Sequence, residues 1–380
     1  MRIVHTEASR GWGGQEIRIL YEAQGLIARG HRVHLLCPHD ARIAQEAPRF
    51  NVPLSMLPIG RKTLPALWQT RAWIAAQLRG EGIDVINTHS STDSWLVALS
   101  LTTFKNPPVL VRTRHISAPV PDNFATRWLY RDASRFIVTT GTALRQTLID
   151  ENRLDGDRIV SIPTGIDCDY FRPPSGSERD AARSRLGVAS HVFVVGIVAT
   201  LRSWKGHRYL LDAAAKCVAD GNTDIRVVVV GDGPQRVALE EQAALSGLRG
   251  RTVFAGNQVD VLPWLDAFDA FALPSYANEG VPQALLQAMS CALPVVTTSV
   301  GAIGEIARDG QTALVVPAQD SDALAQALSR IRAQRDFARQ LGARARDLVR
   351  THHQLASMLT QMEEVFARAA AASEKPSSNA

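Results

Sequence analysis

The feature that most constrains this chain is an alternation of short apolar runs with longer helical patterns, carried along most of its length. Strand-like runs occur at Arg2 to His5, Arg32 to Cys37, Asp84 to Thr88, Val109 to Arg114 and Arg135 to Thr139, and residues 14 to 29 have helical spacing. A second series lies at Val192 to Val198, Ile225 to Val230, Val253 to Ala255, Phe268 to Leu273 and Val295 to Thr298. Such alternation means βαβ units and mainly parallel sheets, with ligands at the carboxyl ends of the strands. Residues 159 to 175, with three prolines and an Asx-rich turn, read as a domain connection. At 380 residues the chain is too long for one ordinary core. The expected class is therefore α/β, with two doubly wound halves facing across a cleft. From Ser321 onward the pattern is helical, with apolar stripes through Leu324, Leu328 and Ile331 and later Leu355, Met358, Leu359 and Met362.

Composition removes several functional classes. No stretch of about 18 uncharged apolar residues is present, so nothing reads as a membrane span. The opening MRIVHTEASRGWGG has too short an apolar run for a signal peptide and reads as a first strand. Cys37, Cys168, Cys217 and Cys291 are scattered, which argues for a reducing cytoplasm and against disulfide or zinc frameworks. The net charge of +5 is uneven: residues 1 to 160 hold 20 Lys and Arg against 14 Asp and Glu, the remainder 22 against 23. A basic first half suits nucleic acid, an anionic membrane face or an anionic substrate, and no nucleic-acid-binding motif accompanies it.

Four stretches carry chemistry. Leu273 to Glu305 holds a loop, a helix, a buried strand and a small-residue turn from Ser299 to Gly304. Gly280 frees the backbone there, Pro282 suits a first helical turn, and Ala284, Leu285, Ala288 and Met289 form an apolar stripe. The amides of that turn favour an anion or sugar hydroxyls, with Glu279 beside them as an acceptor. In Thr200-Leu-Arg-Ser-Trp-Lys-Gly-His207, Arg202 and Lys205 project from a loop at a strand end. Two cations there suit a diphosphate, whose charge grows as it leaves; two solvated surface charges are the alternative. Gly11-Trp-Gly-Gly14 follows the first strand, either as a tight turn or as a cradle for phosphate or sugar. His89 and His115 each follow a strand, where a structural histidine and a functional one both fit; His5 is a weaker candidate.

On these motifs the chain resembles the retaining glycosyltransferases of the GT-B fold, family four, the group-one glycosyltransferases. Their signature is a Glu, seven residues, a second Glu, a Pro-Val-Val strand and a Gly-rich turn with its own Glu. Glu279 matches the first acid, Gly280 and Pro282 its neighbours, and Glu305 the last; position 287 is Gln where the second acid stands. The resemblance covers nearly the whole chain and is most specific from Gly196 to Glu305. It implies a GT-B fold of two Rossmann-like domains, 1–165 for the acceptor and 166–350 for a nucleotide sugar, with a helix at 351–372 crossing back and a disordered tail at 373–380.

The same resemblance implies roles for matching residues. Arg202 and Lys205 hold the phosphates, and Glu279 with Gly280, Val281 and Pro282 holds the sugar. Gln287 lies near the ribose, where an amide lacks a carboxylate's charge-assisted grip on two hydroxyls. Gly13 and Gly14 line the cleft, Gly231 and Gly256 match family turns, and Asn257 to Val259 pack against the base. His115 completes the catalytic set, and Gln15 and His89 fall on the acceptor side. The implied reaction is metal-independent and needs no cofactor: a sugar moves from a UDP or GDP sugar to a glycan or lipid-linked acceptor with retained configuration. The acceptor hydroxyl attacks from the face the nucleotide leaves, and a leaving phosphate oxygen takes its proton. The setting implied is lipopolysaccharide or exopolysaccharide synthesis in a bacterial cytoplasm. Two alternatives stand beside it: a GT-B epimerase, or a non-catalytic sugar-nucleotide-binding scaffold, for which Gln287 is the hint and against which Arg202, Lys205 and Glu279 weigh.

Two further stretches divide between readings. Leu64, Leu67, Trp68, Ile74 and Leu78 lie near helical spacing among Arg61, Lys62, Arg71 and Arg79, which fits a packed surface helix or a basic helix on an anionic membrane. Phe124, Trp128, Leu129 and Arg131 extend the membrane reading, which would make the protein peripheral on the inner membrane face. Asp167-Cys168-Asp169 has metal-binding spacing but sits in the proline-rich connection, so a turn is expected there and not a metal site.

Overall fold

A computed structural model describes residues 1–115, 120–277 and 279–371, which form two compact units. The tail expected at 373–380 lies outside the described residues. Each unit is built on one parallel sheet flanked by helices, so each is Rossmann-like, as the alternating pattern requires.

The first unit comprises Met1–Gly165 and the segment from Ala356. Its strands are β1 (Arg2–Thr6), β2 (Arg32–Cys37), β3 (Leu54–Met56), β4 (Val85–Thr88), β5 (Val109–Arg114), β6 (Phe136–Thr139) and β7 (Ile159–Ser161), in the order 3-2-1-4-5-6-7. The second unit, Ile166–Leu355, contains β8 (Phe193–Val198), β9 (Ile225–Val230), β10 (Thr252–Gly256), β11 (Ala270–Leu273), β12 (Val295–Thr297) and β13 (Leu314–Val315), ordered 10-9-8-11-12-13. The order reverses between β1 and β4 in one sheet and between β8 and β11 in the other. At such a reversal the crossover connections leave on opposite sides and open a crevice at the carboxyl edge.

Burial on both faces explains why β9 reads Ile-Arg-Val-Val-Val-Val. At the centre of β8, Gly196 has no room for a Cβ, which would stand 1.9 Å from the Phe268 ring. Some helix starts use side-chain caps. Ser90 with Asp93 and Ser175 with Glu178 form capping boxes, and the Thr63 hydroxyl accepts from Ala66 N at the start of Leu64–Arg79.

The elements differ from the sequence reading at their margins. β3, β7 and β13 have only two or three residues and all lie at sheet edges, β7 also inside the stretch read as a connection. The run from Phe268 becomes strand only at Ala270, because Phe268 N still donates to Leu265 O in the turn that ends the preceding short helix. Pro282 stands before the helix Gln283–Ser290 with ψ of 125°, so it caps the first turn and is not part of it. The last helix, Leu355–Ala371, packs within the first unit: Arg29 and His31 both reach Glu363, Phe366 meets His5 edge-on, and Leu359 fills the space above Gly25.

Candidate active site

In the second unit the loops after β8 and β11 close on each other at the sheet's reversal. Tyr276 N donates to Trp204 O at 2.9 Å, and Gly206, at φ +78°, packs so closely that a Cβ would stand 2.0 Å from Pro274 O. A left-handed, Cβ-free residue is therefore required between Lys205 and the helix His207–Ala219. This closure delivers Lys205 to Glu279: Nζ donates to Oε1 at 2.7 Å and to Oε2 at 2.8 Å, and Glu279 is only 3% exposed. Arg202 is exposed, with its guanidinium 5.8 Å from the Trp204 ring centroid. The two cations read alike in sequence thus have different settings, one in an ion pair and one on an aromatic face. Beneath them His207 is buried and its pKa is lowered to about 3, by burial first and then by the Lys205 charge, so it is neutral.

Gly301 lets a neighbouring turn approach that pair, and Gly231 lets the turn after β9 approach the loop after β8. A Cβ on Gly301 (φ +59°) would meet Glu279 O at 2.2 Å, where Ala302 N donates at 3.2 Å. Gly231 (φ +136°) lies against Ala199 O, and its N–H donates to Gly256 O at 2.9 Å. Asn257 and Val259 are exposed in the loop after β10. Val281 and Gln287 are buried, Gln287 in the second turn of Gln283–Ser290, and Gly280 and Pro282 are half-buried. Glu305 ends the turn Gly301–Glu305 after β12. All of these candidates lie on connections at one carboxyl edge.

The first unit gathers its candidates around the reversal between β1 and β4. Gly13 caps the helix Gly14–Ala28 in an extended conformation open to any residue. His89 bridges two histidines: its Nε2 lies 2.9 Å from His5 Nδ1 and its Nδ1 lies 2.9 Å from His115 Nε2. All three have pKa values well below the ordinary 6.5, chiefly through burial, with neighbouring imidazoles and Arg18 adding to the effect on His89 and His115. They are neutral rings.

Sequence reasoning missed a buried acidic group next to them. Glu7 follows β1, accepts from Ser9 N at 2.6 Å, and is bonded by Ser90 Oγ and by Gln15 Nε2. Burial, with the negative charges of Asp93 and Glu16, raises its pKa to about 8. Asp93 accepts from Thr6 Oγ1 at 2.6 Å and from His89 N and Ser90 N, and burial raises its pKa to about 6. The signal that would have found Glu7 is its place directly after a strand, the rule applied to His89.

Asp167 is engaged as a turn residue: its Oδ1 accepts from Asp169 N and Tyr170 N at 3.1 and 3.0 Å. Among the described residues, no group of three His, Cys, Asp or Glu is arranged to hold a metal ion. No described helix is long and apolar enough to cross a membrane. On Leu64–Arg79, Leu64 and Trp68 face solvent while Ile74 is buried. Phe124 is exposed, Trp128 stacks on Trp95, and Leu129, read as surface, is buried.

Fold and site together define a two-domain enzyme class in which each Rossmann-like unit offers its carboxyl edge. Residues 12–170 match the family model for Glycosyltransferase Family 4, and residues 192–334 match that for glycosyl transferases group 1. A D-inositol 3-phosphate glycosyltransferase of Geodermatophilus obscurus is 30% identical over 314 residues, covering 73% of this chain and 67% of that protein. One from Nocardia farcinica is 28% identical over 369 residues, or 88% and 80% of the two chains. The chain belongs to the group 1, family 4 glycosyltransferases. Among solved structures, Anabaena HepE in complex with UDP-glucose superposes with a TM-score of 0.85 at 21% identity, covering 97% of this chain and 100% of that one. WaaG, a glycosyltransferase involved in lipopolysaccharide biosynthesis, superposes with a TM-score of 0.73 at 18% identity, covering 96% and 99%. Both likenesses show the GT-B fold.

Proposed function

We propose that this protein is a metal-independent, configuration-retaining glycosyltransferase that moves a sugar from a nucleotide diphosphate sugar, UDP or GDP, to a hydroxyl acceptor. The observation that carries the reading is the ion pair of Lys205 with buried Glu279 beside exposed Arg202, at the reversal between β8 and β11. Arg202 on the face of Trp204 meets the diphosphate, and Lys205 holds the Glu279 carboxylate in place for the sugar hydroxyls while adding charge near the leaving phosphate. Gly280, Val281 and Pro282 bring backbone close to the sugar; Gln287 reaches the ribose, and Asn257 and Val259 pack against the base. The acceptor hydroxyl attacks from the face the nucleotide leaves and passes its proton to a leaving phosphate oxygen.

The acceptor is a glycan or lipid-linked glycan on the first unit, near His115, His89 and Gln15. A second reading, a phosphorylated cyclitol, is favoured by the names of the relatives from Geodermatophilus and Nocardia. The excess of Lys and Arg in residues 1 to 160 suits an acceptor that carries phosphate. Exposed Leu64, Trp68 and Phe124 among arginines support peripheral contact with an anionic membrane.

A thermal-shift screen of UDP, GDP and ADP sugars without added metal, followed by nucleotide release with inositol phosphate and glycan acceptors, tests the reading. One nucleotide sugar should raise the melting temperature and turn over, and Arg202→Ala should abolish turnover. Unchanged turnover by Arg202→Ala, or no shift with any donor, overturns the assignment.

A further inference from the structure

Three rings stand in a row in the first unit, His5, His89 and His115, with successive centroids 5.2 Å apart and nitrogen contacts of 2.9 Å. His5 and His89 are buried and His115 is half-buried after β5, so the row runs from the interior to the carboxyl edge. Each contact between two neutral imidazoles needs a proton on one side only, so the state of one ring dictates the next. The inner end is decided by Glu22. His5 Nε2 is buried, has no hydrogen-bond partner among the described residues, and faces Glu22 Oε1 at 3.9 Å. Arg18 Nε lies 3.7 Å from the other oxygen of Glu22, and Asn87 Nδ2 donates to Oε1 at 3.5 Å. Asn87 is itself oriented, because Thr113 Oγ1 donates to its Oδ1 at 2.9 Å.

Burial raises the pKa of Glu22 to about 7 against the pull of Arg18 and Asn87, so above that pH it is a carboxylate, beside which an N–H on His5 Nε2 is attracted and a lone pair is repelled. With the proton on Nε2, His5 Nδ1 accepts from His89 Nε2–H, and His89 Nδ1 accepts from His115 Nε2–H. We propose that Glu22, His5 and His89 are positioning residues that lock His115 as its Nε2–H tautomer, so that its Nδ1 offers a lone pair to a substrate hydroxyl at the carboxyl edge of the first sheet. This rests on the glycosyltransferase reading, which supplies a hydroxyl-rich ligand. Neutral rings in all three positions agree with burial depressing each pKa.

The test is long-range 1H–15N correlation of the imidazoles in the full, ligand-free chain above neutral pH, with His115 assigned through His115→Gln. The wild type should show a protonated Nε2 and an unprotonated Nδ1 on His115, and Glu22→Gln should mix or reverse that pattern. In steady-state assays Glu22→Gln should lower kcat by at least about tenfold while leaving the donor KM within about twofold. A protonated His115 Nδ1 in the wild type, or an unchanged ring pattern in Glu22→Gln, overturns the proposal. If Glu22→Gln fails to fold, the wild-type spectrum still decides. The spectra need no substrate, so an absence of turnover would instead sink the glycosyltransferase reading.

Discussion

Replacing Lys205 with methionine removes the cation that faces Glu279 while keeping most of the side chain's volume. Removing one partner of a fully buried ion pair costs about 3–5 kcal/mol, and an exposed pair contributes about 0–1 kcal/mol. Here the carboxylate side chain is 4% exposed and the lysine 19%, with two donor contacts below 3 Å. The expected loss therefore lies between those limits, at about 2–3 kcal/mol. For a unit of this size that corresponds to a melting temperature lower by roughly 5–10 °C. Urea unfolding near neutral pH, followed by tryptophan fluorescence, reads it, since Trp204 lies in the same loop. Glu279→Gln in the Lys205→Met background should recover part of the loss, giving a coupling energy of about 1–2 kcal/mol. If Lys205→Met unfolds within about 0.5 kcal/mol of the wild type and the coupling is zero, the pair does not hold the β8 and β11 loops as argued.

Other perturbations address separate parts of the molecule. Gly206→Ala should destabilise by roughly 2 kcal/mol or more, because it combines a left-handed backbone with a Cβ 2.0 Å from Pro274 O; chemical denaturation equal to wild type would mean the loop moves freely. Glu7 binds its proton up to about pH 8 in the folded protein but only to its ordinary 4.5 when unfolded. Between those values the folded state holds a proton that the unfolded chain has released, so its contribution to stability falls as pH rises through that window. Glu7→Gln should therefore gain stability relative to wild type on going from pH ~5 to ~8, and melting curves showing no such divergence would contradict a proton on Glu7. Trp68→Ser with Phe124→Ser should weaken sedimentation with anionic vesicles several-fold, whereas equal co-sedimentation of wild type and variant would rule out membrane contact through this face.

The architecture was legible because its cause is local. A strand buried on both faces must be apolar throughout, as β9 is, and a helix covering it must show its stripe, so two parallel sheets follow from the residue pattern alone. The short strands β3, β7 and β13 were not legible, since two or three residues show little of a period and an edge strand lacks the all-apolar neighbours that mark an internal one such as β12. Loops at strand ends were legible as places for chemistry: Arg202, Lys205, Glu279 and the glycines could each be assigned to a carboxyl edge by counting from a strand. Their mutual relations could not. Lys205 and Glu279 are 74 residues apart, and only the packing of Gly206 against Pro274 turns two like-looking cations into one ion pair and one exposed guanidinium. His5 and His89, 84 residues apart, likewise become neighbours only because β1 pairs with β4. The sequence by itself determined which elements form and which ends carry reactive groups, because those depend on near neighbours along the chain. Tertiary structure alone decided which groups share a proton or a charge, because partners within hydrogen-bond reach are set by sheet order.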